Sequence, residues 1–189
     1  MGDRAGARGK GAASHDAPRI LRAALGLPIH LVAGYRGTAE IGLALEAGEV
    51  AGACLNWGSM RAIWGEALGS GKVRVVLHLG ERSRPDLPGV PAAIDHARTE
   101  EGRRLIRAFQ GMSTLIRTYT LPPGTPPDRI RTLREALRAV VDDPAFLAEA
   151  ERSRIEVDPV SGEEIERLVD GLFRLDPSFA ARLRTILLQ

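Results

Sequence analysis

The turn Gly34-Tyr35-Arg36-Gly37-Thr38 stands between an apolar run, Ile29 to Ala33, and a helical pattern that opens at Thr38. A helix start presents unpaired N–H groups and the positive end of its dipole. With a threonine hydroxyl beside them they make a small site for a carboxylate or a phosphate. A second loop, Asn56-Trp57-Gly58-Ser59, follows the next apolar run. If the two runs are parallel neighbours, both loops emerge at the carboxyl edge of the sheet, where open α/β sheets bind ligands. The same turns also serve as plain strand-to-helix connections, so spacing alone leaves both readings open.

Other chemistry is excluded by position. Gly69-Ser70-Gly71-Lys72 looks like the end of a phosphate-binding loop, but Glu66 stands where that motif needs glycine and Val73 where it needs Ser or Thr. The segment also closes a helix instead of opening one. His15, His30, His78 and His96 have no i, i+4 pairing and no acid or cysteine at ligand spacing, so no metal set is expected. There is no Gly-x-Ser-x-Gly elbow, and Glu163 and Glu164 fit a capping box better than acid–base work. The expectation is a protein that is not an enzyme and carries no cofactor.

The elements that must hold the two loops are α/β in pattern. A length of 189 residues suits one domain or two small ones, at about 150 residues each. Hydrophobic residues at 44% and charged residues at 26% exclude a wholly disordered or fibrous chain. Lys and Arg number 26 against 24 Asp and Glu, and they are interspersed, so no nucleic-acid partner is expected. The single cysteine, Cys54, allows no internal disulfide. No apolar run approaches the ~18 residues that span a bilayer, so no direct membrane insertion is expected. The opening MGDRAGARGK has no apolar stretch behind its charges, so no signal peptide is visible and the chain reads as cytoplasmic as written.

Along the chain, residues 1–17 read as a disordered tail of Gly, Ala and scattered Arg. Ile20 to Leu25 suits a short helix ended by Gly26, and Ile29 to Ala33 a strand. Thr38 is expected to cap a helix through Ala47, closed by Gly48. Val50 to Leu55 reads as a strand. Ser59 is expected to cap a helix with Met60, Ile63, Trp64, Ala67 and Leu68 on its buried stripe, stopped at Gly69. Val73 to Leu79 is expected as a strand, and Glu81 to Pro91, with three prolines, as a connection. A helix pair to Gln110 and a strand over Leu115 to Leu121 follow. Beyond Pro122-Pro123-Gly124 the pattern is mainly helical. Thr125-Pro126-Pro127-Asp128, Asp143-Pro144, Ser161-Gly162-Glu163-Glu164 and Asp176-Pro177 mark starts, with a short strand over Ile155 to Val157.

Several blocks in order resemble one family. Gly34-Tyr35-Arg36-Gly37-Thr38 with Leu45 to Val50, Glu81-Arg82-Ser83 with Asp86 to Pro91, Pro122 to Pro126, and Asp143-Pro144-Ala145-Phe146 resemble the substrate-binding receptors of tripartite tricarboxylate transporters, the Bug-type solute receptors. The resemblance covers the latter half of such a receptor. It implies the type II periplasmic-binding-protein architecture, here incomplete, with most of the first domain absent. Residues 18–114 would be the second α/β lobe, and 115–189 a mainly helical remnant of the first. It further implies a small carboxylate ligand held without chemistry, delivery to membrane permease subunits, and a periplasmic location. Carried over residue by residue, Gly34, Tyr35, Gly37 and Thr38 would line the ligand, with Trp57 and Ser59 beside them. Two other readings stay open: an interaction module whose helices Asp128 to Arg138 and Gly162 to Arg174 pair with another chain, and an enzyme acting on a phosphorylated small molecule.

Overall fold

A computed structural model describes residues 3–80, 86–153 and 155–188. The expected connection Glu81 to Pro91 and the block Glu81-Arg82-Ser83 therefore lie wholly or partly outside the described residues. Three parallel strands form one sheet in the order β2-β1-β3, with β1 over Arg4–Ala7, β2 over His30–Ala33 and β3 over Gly52–Ala53. Register is fixed by Ala7 opposite Ala33 and Gly6 opposite Ala53. The ladder is extended by His30 N–H donating to Asp3 O at 2.7 Å and Ala51 N–H donating to Arg4 O at 2.8 Å.

The expected tail is thus the centre of the sheet, and the disordered reading of residues 1–17 is corrected. Ala5, Gly6 and Ala7 are small enough for helices to approach both faces, but small residues carry little hydrophobic signal. Helix α1 spans Ala13–Leu25, starting well before the expected short helix, and ends as expected at Gly26 in a left-handed conformation (φ 69°). Pro18 reads as a boundary in the sequence but sits inside α1, buried.

A core forms where α1 meets α4 (Glu100–Thr114) and α8 (Pro177–Leu188). Ile20, Leu21, Leu105, Ile106, Phe109, Phe179 and Leu183 are buried together there. Gly102 brings α4 close to α1, since a Cβ there would lie 2.7 Å from the Ala24 carbonyl oxygen. On the other side, Gly6 faces α2 (Thr38–Glu46). A Cβ on it would meet Ile41 Cγ2 at 3.1 Å, Val50 Cγ2 at 3.3 Å and Tyr35 Cε2 at 3.4 Å. Side chains alternate along a strand, so Ala5 and Ala7 point the other way, and α1 packs on β1 and β2.

Helix α3 (Trp57–Gly69) ends where expected, but Trp64 leaves helical geometry (φ −119°, ψ 24°) and kinks it. Of the expected stripe only Trp64 is buried, lying against Gly42 of α2, and its indole Nε1 has no partner. Val73 to Leu79 forms no strand beyond one parallel bridge, His78 to Ala92. His78 N–H donates to Pro91 O, and Ala93 N–H to His78 O. Pro91 has no N–H to continue a ladder, so β-branched propensity there finds no neighbour. The expected helix pair is a 3-10 turn, Ala93–His96, followed by α4 alone. Leu115 to Leu121 is not a strand either. Its first residues form a 3-10 turn, Leu115–Arg117, and Tyr119 is exposed, with no strand beside it among the described residues.

Thr114–Arg174 forms a second compact unit, while Leu175–Gln189 returns to the first. The boundary expected at residue 115 therefore does not carry α8 with it, because Phe179 and Leu183 are buried in the first core. The second unit holds α5 (Pro127–Val141), α6 (Pro144–Arg152) and α7 (Gly162–Phe173). Asp143 caps α6 through the N–H groups of Ala145 and Phe146, and Ser161 caps α7 through Glu164 N–H. At α5 the cap position falls on Pro126, with Pro127 first in the helix, one residue beyond the expected Thr125. Ile155 to Val157 is irregular, with Ile155 exposed.

Candidate functional site

Because β1, β2 and β3 are parallel, their carboxyl ends share one edge, and the loops leading to α1, α2 and α3 all start there. The strand order reverses at β1, since the chain steps from β1 to β2 and then crosses to β3 on the far side. A crevice at such a reversal is where open α/β sheets take ligands. The two predicted loops therefore emerge at one edge, although β2 and β3 are not neighbours as the expectation required: β1 stands between them. A third loop, Arg8 to Ala12, completes it and was missed, because it lay in the segment read as a tail. The signal was present in Arg8-Gly9-Lys10-Gly11, a glycine-rich run followed by the α1 start.

That third loop is internally bonded. Arg8 N–H donates to Ser14 Oγ at 3.1 Å, Ala12 N–H to Gly9 O at 3.2 Å, and Gly11 N–H to Asp16 Oδ1 at 3.3 Å. Gly11 has φ 81°, a left-handed conformation that side chains resist. Lys10 Nζ donates to the Leu188 carbonyl at the end of α8. His15 is buried, its Nδ1 2.8 Å from Asp16 Oδ1.

In the second loop, Gly34 has φ 117° and Tyr35 N–H reaches back to Ala7 O at 3.3 Å. The Tyr35 ring is thereby laid over Gly6 at the end of the central strand. Its hydroxyl donates to Glu49 Oε2 at 3.5 Å. Thr38 is not the cap. Gly37 holds that position with no side-chain bond, and Thr38 is the first helical residue. Glu40 reaches back instead, accepting from Arg36 N–H at 2.7 Å and Arg36 Nε at 2.8 Å. The Arg36 N–H, and then its guanidinium, hold the Glu40 carboxyl below its ordinary range. The first N–H groups of α2 stay uncapped by side chains, and so do those of α1, whose cap residue is Ala12.

The third helix start differs. Asn56, not Ser59, caps α3, its Oδ1 accepting from Ser59 N–H at 3.4 Å. An asparagine in extended geometry two or three residues ahead of the N–H groups serves this role better than a residue already inside the turn. Trp57 is the first helical residue, and its indole Nε1 donates to Asp86 Oδ2 at 2.6 Å. Cys54, just after β3, packs against the core, and burial pushes its thiol up to about 11. Among the described residues no group of His, Cys, Asp and Glu could hold a metal ion.

A cavity of about 430 Å³ lies elsewhere, between α5 and α7. Arg134 bridges it, donating to Glu163 at 2.9 Å and Glu166 at 2.5 Å, so its charges are already paired.

Parallel strands with two uncapped helix starts gathered at one edge are the arrangement of an open α/β binding protein. A family model, tripartite tricarboxylate transporter family receptor, matches residues 4–174, and the chain belongs to that family. The match begins at β1, so it includes the strand that reads as a tail in the sequence. Members of the family are solute-binding receptors and not enzymes, the family is periplasmic, and it implies a periplasmic-binding-protein-like fold. No curated protein and no solved structure matches the chain. No described helix is long and apolar enough to cross a membrane.

Proposed function

We propose that this chain binds a small carboxylate at the carboxyl edge of its parallel sheet, without chemistry, and hands it to the permease subunits of a tripartite transporter from the periplasm. The observation that carries the reading is the pair of uncapped helix starts, α1 and α2, flanking the end of β1. Two sets of unpaired N–H groups and two dipole ends favour one anionic group between them. The Thr38 hydroxyl stands beside the α2 start, Gly34 and Gly37 let the backbone approach, and Tyr35 and Trp57 supply ring walls. Ser59 is peripheral, its N–H being taken by Asn56.

The test is calorimetric titration of the chain with acetate, hexanoate, succinate and citrate, and with inorganic phosphate for contrast. One carboxylate is expected to bind, and Thr38→Ala to weaken it about tenfold or more, the worth of one hydrogen bond to a charged group. Tighter binding of phosphate than of every carboxylate would overturn the reading.

A second reading has its own observation. In the unit Thr114–Arg174, Leu133, Leu137, Val140, Phe146, Leu147 and Phe173 are all exposed, Phe173 at 88%. Apolar surface of that kind marks interaction sites. On this reading α5 and α7 pair with another chain, and sedimentation of the purified protein would give a concentration-dependent mass. A monomer at every concentration would exclude self-pairing.

A further inference from the structure

In helix α5, Ile130, Leu133, Leu137 and Val140 are spaced three, four and three residues apart, the a and d positions of a heptad. Such a seam suits one facing helix. Every residue of α5 is exposed or half-buried, and Leu133, Leu137 and Val140 are among the exposed. The polar flank of α5 is already used within the same unit. Arg134 reaches Glu163 at 2.9 Å and Glu166 at 2.5 Å in the first turns of α7. Gly162 permits that approach, since a Cβ there would run into Arg134 Nε. The α7 start therefore lies along the side of α5 that carries Arg131, Arg134 and Arg138, and it leaves Leu133, Leu137 and Val140 open.

Charge decides which helix fits the seam. From Pro127 to Arg134 one acid, Asp128, stands against three arginines, Arg129, Arg131 and Arg134. From Glu135 to Asp143 three acids, Glu135, Asp142 and Asp143, stand against one arginine, Arg138. A helix with a basic first half and an acidic second half complements its own copy when the two run antiparallel and repels it when they run parallel. A two-fold axis beside Glu135 sets Ile130 on the partner's Val140 and Leu133 on the partner's Leu137. Arg129 then meets the partner's Asp143 at each end of the seam. Asp143 Oδ1 caps α6, and the carboxylate has a second oxygen for the guanidinium. Arg134 is the cation nearest the axis, and Glu163 and Glu166 neutralise it, so its copy across the axis is not repelled.

We infer that α5 is the interface between two copies of this chain, paired antiparallel through Ile130, Leu133, Leu137 and Val140. The inference rests on the interaction reading given under the proposed function and commits it to α5 and to a second copy.

The seam is shorter than the three or four heptads of a stable coiled coil, so a dissociation constant on the order of 10–100 µM is expected. Sedimentation equilibrium of the full chain, from about 10 µM to about 1 mM, should show a mass that rises from monomer to dimer and no further. Leu137→Glu should weaken dimerisation about tenfold or more. Leu137 is exposed in the single chain, so urea unfolding of this variant should stay within about 0.5 kcal/mol of wild type, separating lost association from lost fold. Arg129→Glu should weaken the dimer less, by about fivefold, and reduce its dependence on salt. Direction is read in a Cys54→Ala background with a short bismaleimide. Ile130→Cys and Val140→Cys chains should cross-link when mixed and neither should with itself, since like positions lie about 15 Å apart in the antiparallel pair. Cross-linking of each variant with itself in preference to the mixture would overturn the inference. A monomer at 1 mM would overturn it too and leave the interaction reading only a partner of other sequence. Association that survives Leu137→Glu and is lost in Phe173→Asp would move the interface to α7, overturning the inference while the interaction reading stands.

Discussion

Substituting Gly6 tests whether β1 lies where the site needs it. Even the first carbon of a side chain at Gly6 meets Ile41 Cγ2 at 3.1 Å, Val50 Cγ2 at 3.3 Å and Tyr35 Cε2 at 3.4 Å. Ile41 is fully buried and Val50 is 3% exposed, so neither has solvent to move into. Alanine would need the neighbours to give by a few tenths of an ångström. Valine adds two further methyl groups to the same space, and overpacking of this kind destabilises by about 1–3 kcal/mol. With a urea dependence of about 2 kcal/mol per molar, the midpoint of Gly6→Val should fall by about 0.5–1.5 M at unchanged slope. Both tryptophans, Trp57 and Trp64, belong to the same compact unit as Gly6, so tryptophan emission reports that unit alone. Gly9→Ala is the control, since nothing lies within 4 Å of a Cβ there and its stability should stay within about 0.5 kcal/mol of wild type. If Gly6→Val melted together with Gly9→Ala, β1 would not be packed against α2, and the crevice beside it would lose its floor.

Other consequences are open to measurement. Gly102→Ala exchanges a poor helix former for the best one, yet its Cβ would sit 2.7 Å from the Ala24 carbonyl, so urea unfolding should show a net loss of about 1–3 kcal/mol. A gain in stability would show that α1 and α4 are not in close contact. The Cys54 thiol, pushed up to about 11 by burial, should resist iodoacetamide at pH 8 in the folded chain and react rapidly in urea; equal rates would contradict its packing. Asp176 accepts from Ser178 Oγ at 2.6 Å, Arg104 Nη2 at 2.6 Å and Phe179 N–H at 2.8 Å, and these hold its carboxyl well below the ordinary 3.8. A depressed pKa contributes stability that is present above 3.8 and lost as pH falls further. Asp176→Asn should therefore flatten the acid limb of a stability–pH curve below pH 4 and leave its shape above pH 5 unchanged. Arg36→Gln should return the Glu40 carboxyl only part of the way toward its ordinary value in a carboxyl-carbon NMR titration, since the Arg36 N–H, the larger cause, is kept; no change would show that the guanidinium does not reach Glu40.

Much of the helical half of the fold is legible in the sequence because its signals are local. Asp143, Ser161 and Asp176 act as caps on residues two or three ahead, and Gly26 closes α1 as its left-handed conformation requires. Strands are less legible, since a strand exists only where a neighbour completes its ladder. Val73 to Leu79 and Leu115 to Leu121 have the right residues and, among the described residues, find no neighbour beyond the single bridge of His78 to Ala92. Arg4–Ala7 has the wrong-looking residues and gains two neighbours. Ala-Gly-Ala carries no hydrophobic alternation, and its place at the sheet centre depends on helices close enough to exclude larger side chains. The two predicted loops were readable from the turn before Thr38 and the loop before Ser59, but their caps were displaced, to Gly37 and to Asn56. The loop Arg8 to Ala12 could not be placed without knowing that β1 precedes it. The Trp57–Asp86 bond spans 29 residues, and nothing in the local pattern announces it.

The central claim is that the α1 and α2 starts hold one carboxylate between them. Titrating ¹⁵N-labelled protein with hexanoate and with citrate, and following every amide, tests this directly. Saturable shifts concentrated at Ala13, Ser14, Thr38 and Ala39 are expected for the carboxylate that binds, with amides of α5 to α7 unmoved. Shifts confined to the unit Thr114–Arg174, or no saturable shift at the two helix starts with either carboxylate, would contradict it.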